Sequence, residues 1–505
     1  MRALTIESVG PTWTSAGLGR RAGRYPLAVE RHLLSQVARL VPGVTSVTPH
    51  GRYYAVHGLV AHEAQRRNMS DAEAQELLRR VETVVAGVSL QHEDSPEHEG
   101  LNRAHGAEAV EQVINELGAL DVDQASTTGP HRYAKANWGF LGPYRGSEMY
   151  LGVLSHNELR PGAAFDSTRV RESLEGLLDL AGKVRLDVPE LVSASHLCIC
   201  GGADAEDGLW LSDVLYPVAS DEQTGSTATR RATIRMLCRA LELRSVDAVT
   251  KDVTRVIAYG EASRTDDILA TLPVTKGWVG TILRSESVNA WRSLWSWLVS
   301  HIDAVTPISE LGSTFAGRLP RGSLGAFVAG LPSLRDSQGD LAPAERDPSL
   351  KPLQRAERDL SILMIGAMRR TDLSKGEATH EQLVGFEGKS KAEYQQELSP
   401  YWLQVQLEQW RDKPLRDFAV YLVRVLANRS QRIALRKATR SRHTGQLTVP
   451  TRVYERDGNL FKDSDEGGGP VGLRLPQMTT VLAEAGLVRK QATWQVTGRG
   501  RDVLE

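Results

Sequence analysis

Cysteine is scarce: Cys198, Cys200 and Cys238 are the only three in 505 residues. A chain of this size cannot be held by so few, which excludes a disulfide framework and fits a reducing cytosol. No run of eighteen apolar residues occurs, so no membrane-spanning helix and no membrane partner are expected. The richest stretch, Trp291 to Ile302, is broken by Arg292, Ser293, Ser296 and Ser300. The opening MRALTIESVGPTWTSAGLG has no apolar core of signal-peptide length, so a cytoplasmic location is expected. Net charge is nearly absent, at −1, which excludes a globally basic nucleic-acid coat protein. Catalytic signatures are missing too. There is no Gly-x-x-x-x-Gly-Lys-Ser/Thr phosphate loop and no Gly-x-Ser-x-Gly elbow, so no nucleotide cofactor and no catalytic residue is assigned.

What remains is the composition of a globular protein, 41% hydrophobic and 24% charged. The length implies two to four domains. Helical periodicity recurs over Tyr25–Leu40, Arg52–Val60, Thr168–Val184, Thr227–Leu243, Val288–Ile302, Leu353–Arg370, Tyr401–Trp410 and Leu415–Thr439. Ser70 with Glu73 reads as a capping box opening a further helix to Val85. The expected fold is mainly α with a small α+β part. It divides into an N-terminal region 1–165 rich in histidine and aromatics, a central helical region 166–334, a polar Pro-containing linker 335–352, and a C-terminal region 353–505.

Charge is concentrated in one place. From Phe418 to Pro450, thirty-three residues carry seven Lys/Arg and no acid. Leu415, Phe418, Leu422, Val425, Leu426 and Ile433 form an apolar stripe, and Arg429, Arg432, Arg436 and Arg440 follow the same three-and-four spacing on another face. Arginines one turn apart suit a row of phosphates, since each planar fork can donate two hydrogen bonds. Acidic residues on neighbouring helices would turn the same face into a structural one.

The last sixty residues change character. Leu447–Glu455 and Asn459–Lys462 flank Asp457-Gly458, a hairpin signal. A helix from Leu475 stops at Gly486. Two short strands, Leu487–Lys490 and Thr493–Val496, follow, and Thr497 caps a final turn. This order resembles the end of a winged-helix domain. The wing would be basic, with Arg489 and Lys490 placed for phosphate contact. Gly467–Pro470 is not helical, so the supporting helix is expected from Leu415–Arg440.

Nine of thirteen histidines precede residue 160. His57 and His62 lie beside Glu63, and His92, His98 and His105 share a polar stretch with Glu93, Glu97 and Glu99. None of these spacings matches a compact metal motif. His196-x-Cys198-x-Cys200 would place three soft ligands on one face of a strand, but no second ligand pair is near in sequence, so no metal is assigned.

Two segments, Pro42–Tyr54 (PGVTSVTPHGRYY) and Trp138–Gly152 (beginning WGFLGPYRGS), resemble shared segments of uncharacterised bacterial proteins encoded in anti-phage defence islands. That resemblance implies an accessory or recognition subunit of a larger complex, and no active site. The resulting expectation is a non-enzymatic, DNA-binding or adaptor subunit whose partners are double-stranded DNA and other subunits. The alternatives are a scaffold docking an acidic protein and a metal-dependent nuclease built on the His/Glu-rich N-terminal region.

Overall fold

The computed structural model describes residues 19–127, 133–134, 136–156, 159–217, 225–375, 378–440 and 447–505. Helices dominate, and the strands form four sheets of only two or three strands each. The mainly helical expectation therefore holds. Among the described residues no helix is long and apolar enough to cross a membrane. The chain groups into two compact units: Met1–Ser35 with Val279–Val471, and Gln36–Trp278 with Gly472–Glu505. Both are discontinuous, whereas composition had suggested sequential blocks. The first is called the basic unit below, the second the histidine unit.

In the basic unit, helix Leu415–Arg436 buries Leu415, Phe418, Leu422 and Leu426 completely, as its apolar spacing predicts. Helix Ile308–Gly317 packs along it. The helix ends at Arg436, three residues before the expected Thr439. Thr439–Arg440 instead pairs antiparallel with Leu447–Pro450, which pairs in parallel with Gly19–Arg21. The Asp-Gly signal is realised next door. Asp457 and Gly458 both have positive φ, 52° and 77°, the conformation that a tight two-residue turn needs between Val453–Arg456 and Asn459–Lys462. Val305–Pro307 adds a third strand to that hairpin.

The segment expected as a linker behaves differently. It contains two short 3-10 helices, Ala344–Arg346 and Pro348–Leu350, and its Ala344 and Leu350 are buried against Ile365. The reason is Arg369, fully buried on helix Arg355–Lys375. Its Nε and Nη2 each lie 2.9 Å from a Glu345 carboxylate oxygen, and it also donates to the carbonyls of Leu334, at 2.6 Å, and Ala342. The polar atoms that make 335–352 look like a linker thus face a charge that has left water.

The histidine unit is built around helix Arg52–Arg67, buried at nearly every position from Arg52 to Ala64. Ser70 and Glu73 form the predicted capping box of helix Asp71–Leu90. The expected helix Tyr25–Leu40, which starts in the basic unit, begins only at Arg31, because Tyr25 and Ala28 take positive φ, 58° and 51°. Thr168–Val184 is split into helices Ser167–Ser173 and Leu177–Gly182. Helices Gly225–Leu243 and Val249–Ala258 pack together, and Leu475–Glu484 joins Val249–Ala258. The hairpin Val488–Gln491/Thr493–Val496 follows, and Trp494 forms a bridge to Val246, its N–H donating to the Val246 carbonyl at 2.8 Å.

Replacing Arg369 by Ala would leave the Glu345 carboxylate buried without its cation, a loss of about 3–5 kcal/mol. Urea denaturation is expected to show a lower midpoint for Arg369→Ala and recovery of much of it in Arg369→Met with Glu345→Leu. A single variant as stable as the parent would disprove this role.

Candidate functional site: a basic helix end and a buried polar centre

The four predicted arginines of the basic unit divide by environment. Arg429 turns inward: its Nε donates to the Leu27 carbonyl at 2.6 Å and its Nη1 to Glu397 at 3.2 Å. Arg432 is exposed and also meets Glu397. Arg436 and Arg440 are exposed, and among the described residues neither has an acidic partner. Arg424, which the spacing argument passed over, is exposed as well and lies on the same i, i+4 row as Arg432 and Arg436. Lys437, whose ammonium is lowered by burial from the usual lysine range, donates to the Arg24 and Tyr25 carbonyls at 2.8 and 2.9 Å. Among the described residues Glu397 is thus the acid in contact with Arg429 and Arg432, while Glu30 and Glu466 act on Lys437 through space. The Arg442 end of the basic run lies outside the described residues.

Arg489 and Lys490 belong to the histidine unit. Arg489 is exposed, and Lys490 lies 3.5 Å from Asp247. Helix Leu475–Glu484, just before them, has no strongly exposed residue. Its Thr480 hydroxyl donates to the Pro49 carbonyl at 2.7 Å, and Glu484 accepts from the Arg52 N–H at 2.7 Å and contacts His50 Nδ1 at 3.1 Å. The helix packed on it within the unit is Val249–Ala258; the expected support, Leu415–Arg436, lies in the basic unit.

The N-terminal histidines make a sealed polar centre. His57 sits with both ring nitrogens occupied: Nδ1 is 2.5 Å from Glu148 and Nε2 is 2.8 Å from Glu82. All three side chains are fully buried. Burial alone would push the imidazolium down, but the Glu148 charge and hydrogen bond, with those of Glu82, hold it up at about 10. Burial in turn raises both carboxyls. Glu82 also accepts from the Phe140 N–H at 3.1 Å, and Gly139, at φ +49°, leaves room where a Cβ would strike the carboxylate. Tyr53, Tyr133, Tyr144 and His105 surround the trio, and burial pushes His105 down to about 3. Arg52 pairs with Asp207 at 2.9 Å. Glu63 is held by Arg66 and Arg67 rather than by a histidine, and His62, partly buried, packs edge-on against Phe165. An open cleft of about 690 Å³, lined by Tyr150, Phe165, Asp213 and Arg230, reaches none of the trio.

One further group of side chains converges. His92 Nδ1 lies 3.2 Å from Cys200 Sγ, His98 Nδ1 3.3 Å from Cys198 Sγ, and the two sulfurs 3.2 Å apart. Sequence spacing had grouped the cysteines with His196. That residue instead is exposed and contacts the Glu175 carbonyl at 3.2 Å. The segment Ser193–Cys200, whose alternation allows a short strand or a buried turn, takes the second form, a buried pair of 3-10 turns, Ser195–Leu197 and Ile199–Gly202.

His57→Ala would leave two facing carboxylates in the interior, at a cost of about 3–5 kcal/mol. Because the folded-state value of about 10 lies above the unfolded one, the stabilisation by His57 is complete below about pH 6.5 and is lost as pH rises through 10. Urea denaturation of parent and His57→Gln should show a gap that narrows between pH 6 and pH 10; a constant gap would mean that His57 is neutral. Comparison of the chain with protein-family models, curated proteins and solved structures finds no match.

Proposed function

We propose that this chain is a non-enzymatic binding protein that contacts the phosphates of a nucleic acid, double-stranded DNA foremost, through the exposed end of helix Leu415–Arg436. The observation that carries this reading is the set of exposed Arg424, Arg432, Arg436 and Arg440, of which, among the described residues, only Arg432 has an acidic partner, Glu397. Solvated guanidinium groups on one row of the helix at Arg424, Arg432 and Arg436, with Arg440 on the strand that follows, give the multipoint charge that a duplex backbone attracts. Arg429, already bonded to a carbonyl, contributes charge but no free fork.

The C-terminal elements support a winged-helix reading. Helix Gly225–Leu243, the Val246 bridge position, helix Val249–Ala258, helix Leu475–Glu484 and the terminal hairpin follow winged-helix order, with residues 259–474 inserted before the last helix. In such a module that last helix would read the major groove. Here it is committed to packing against residues 49–52, which favours a protein-facing or structural role for the module. Arg489 and Lys490 then contribute little to DNA contact. The resemblance of Pro42–Tyr54 and Trp138–Gly152 to defence-island proteins supports a place beside other subunits. The nuclease alternative loses its main support, because His57 has no nitrogen left for a metal.

Fluorescence anisotropy with a mixed-sequence DNA duplex tests the proposal. The parent should bind with an affinity that falls steeply with salt. Arg432→Ala with Arg436→Ala should weaken binding and make the slope of log K against log salt shallower by about 2. Arg489→Ala with Lys490→Ala should leave both unchanged. A parent that fails to bind at low salt, or a helix double variant that binds like the parent, would overturn the proposal in favour of a scaffold with an acidic protein partner.

A further inference from the structure

We infer that His92, His98, Cys198 and Cys200 form a structural zinc site. One ligand atom from each lies within 4.8 Å of every other. A zinc tetrahedron with Zn–S of about 2.3 Å and Zn–N of about 2.0–2.1 Å separates its ligand atoms by about 3.3–3.8 Å. The two nitrogen–sulfur approaches, 3.2 and 3.3 Å, lie a little inside the edge of about 3.6 Å that such a figure gives them, and the sulfur–sulfur approach of 3.2 Å would widen to about 3.8 Å around the ion.

Hydrogen bonding is a poor alternative account of the cluster. A thiol is a weak donor and a weak acceptor, and nothing in two thiols and two imidazoles calls for all four to crowd one point in a protein interior. A cation at that point does. Two thiolates and two neutral imidazoles select zinc over magnesium or calcium, which prefer oxygen. Binding displaces the two thiol protons, and the two thiolates then balance the charge of the ion, so no net charge is buried. Three of the four residues are buried and the fourth is half-buried. With four protein ligands no position is left for a substrate water, which makes the site structural.

The supports of the ligands are in place. The Arg52 guanidinium donates to the carbonyls of Cys198 and His196, and the Ile199 N–H donates to Ser89 Oγ at 3.2 Å, which together hold the cysteine turn. Ser95 caps the 3-10 helix Pro96–His98 that delivers His98. The ion would join two segments about 100 residues apart along the chain. The next residue, Glu99, accepts from the Ala492 N–H at the tip of the terminal hairpin. Zinc would therefore hold the loop on which that hairpin rests.

Metal analysis of the full chain, purified without chelator, is expected to find one zinc ion per molecule. The stripped protein refilled with Co²⁺ should show tetrahedral ligand-field bands and a thiolate-to-cobalt charge-transfer band. Cys200→Ser should lose the stoichiometric metal and weaken the charge-transfer band, while His196→Ala should keep both. The cobalt spectrum of the unmutated chain decides the matter even if Cys200→Ser fails to fold. A parent without stoichiometric metal whose cobalt spectrum lacks the thiolate band would overturn the inference, as would a His196→Ala variant that loses the metal.

Discussion

A charge taken out of water must meet an opposite charge or lose its own, and helix Arg52–Arg67 carries Arg52, His57 and Glu63 through the interior of its unit. Glu63 is met by Arg66 and Arg67 of the same helix, but the partners of Arg52 and His57 come from separate elements. Asp207 stands on Glu206–Leu215, Glu82 on Asp71–Leu90, and Glu148 on Leu141–Leu151, while Glu484 from the C-terminal segment takes the Arg52 N–H. Apolar contact is non-directional and would tolerate small rotations of these helices about one another. Ion pairs of 2.5 to 2.9 Å do not, so the buried charges set the register that the surrounding Val, Leu and Tyr side chains then fill.

Local signals in the sequence were reliable. The capping box at Ser70, the Asp457-Gly458 turn, the apolar stripe of Leu415–Arg436 and the helix-hairpin order after Leu475 each depend on residues a few positions apart, and each is present. What depends on distant residues was not legible. The polar stretch 335–352 reads as solvated until Arg369 is known to be buried beside it. The helix that packs on Leu475–Glu484 within its unit lies more than two hundred positions upstream. The four His and Cys ligands are split between residues 92–98 and 198–200, and a search for ligand spacing along the chain cannot join them.

The arginines illustrate the same limit at finer grain. Arg429 and Arg432 differ by three positions and share one carboxylate, yet the first is half-buried and the second exposed. A long apolar stem with a charged tip suits either setting, so periodicity alone cannot separate the two. Glu397, which draws both, lies on a segment with no sequence relation to the basic run. The charge pattern located a helix that carries exposed arginines but could not say which guanidinium groups are exposed.

The Val246–Trp494 bridge has a temporal consequence. Its two residues are 248 positions apart (494 − 246), and the whole of Val279–Val471 is made between them. At a ribosomal rate of about 5–20 residues per second, helices Gly225–Leu243 and Val249–Ala258 emerge about 10–50 s before the hairpin that covers them. During that interval the apolar faces of Val253, Ile257, Leu237 and Leu241 await residues not yet synthesised. The nascent chain must keep this surface from wrong partners while the larger part of the basic unit, Val279–Val471, is made, and the segment Gly472–Glu505 then completes the histidine unit.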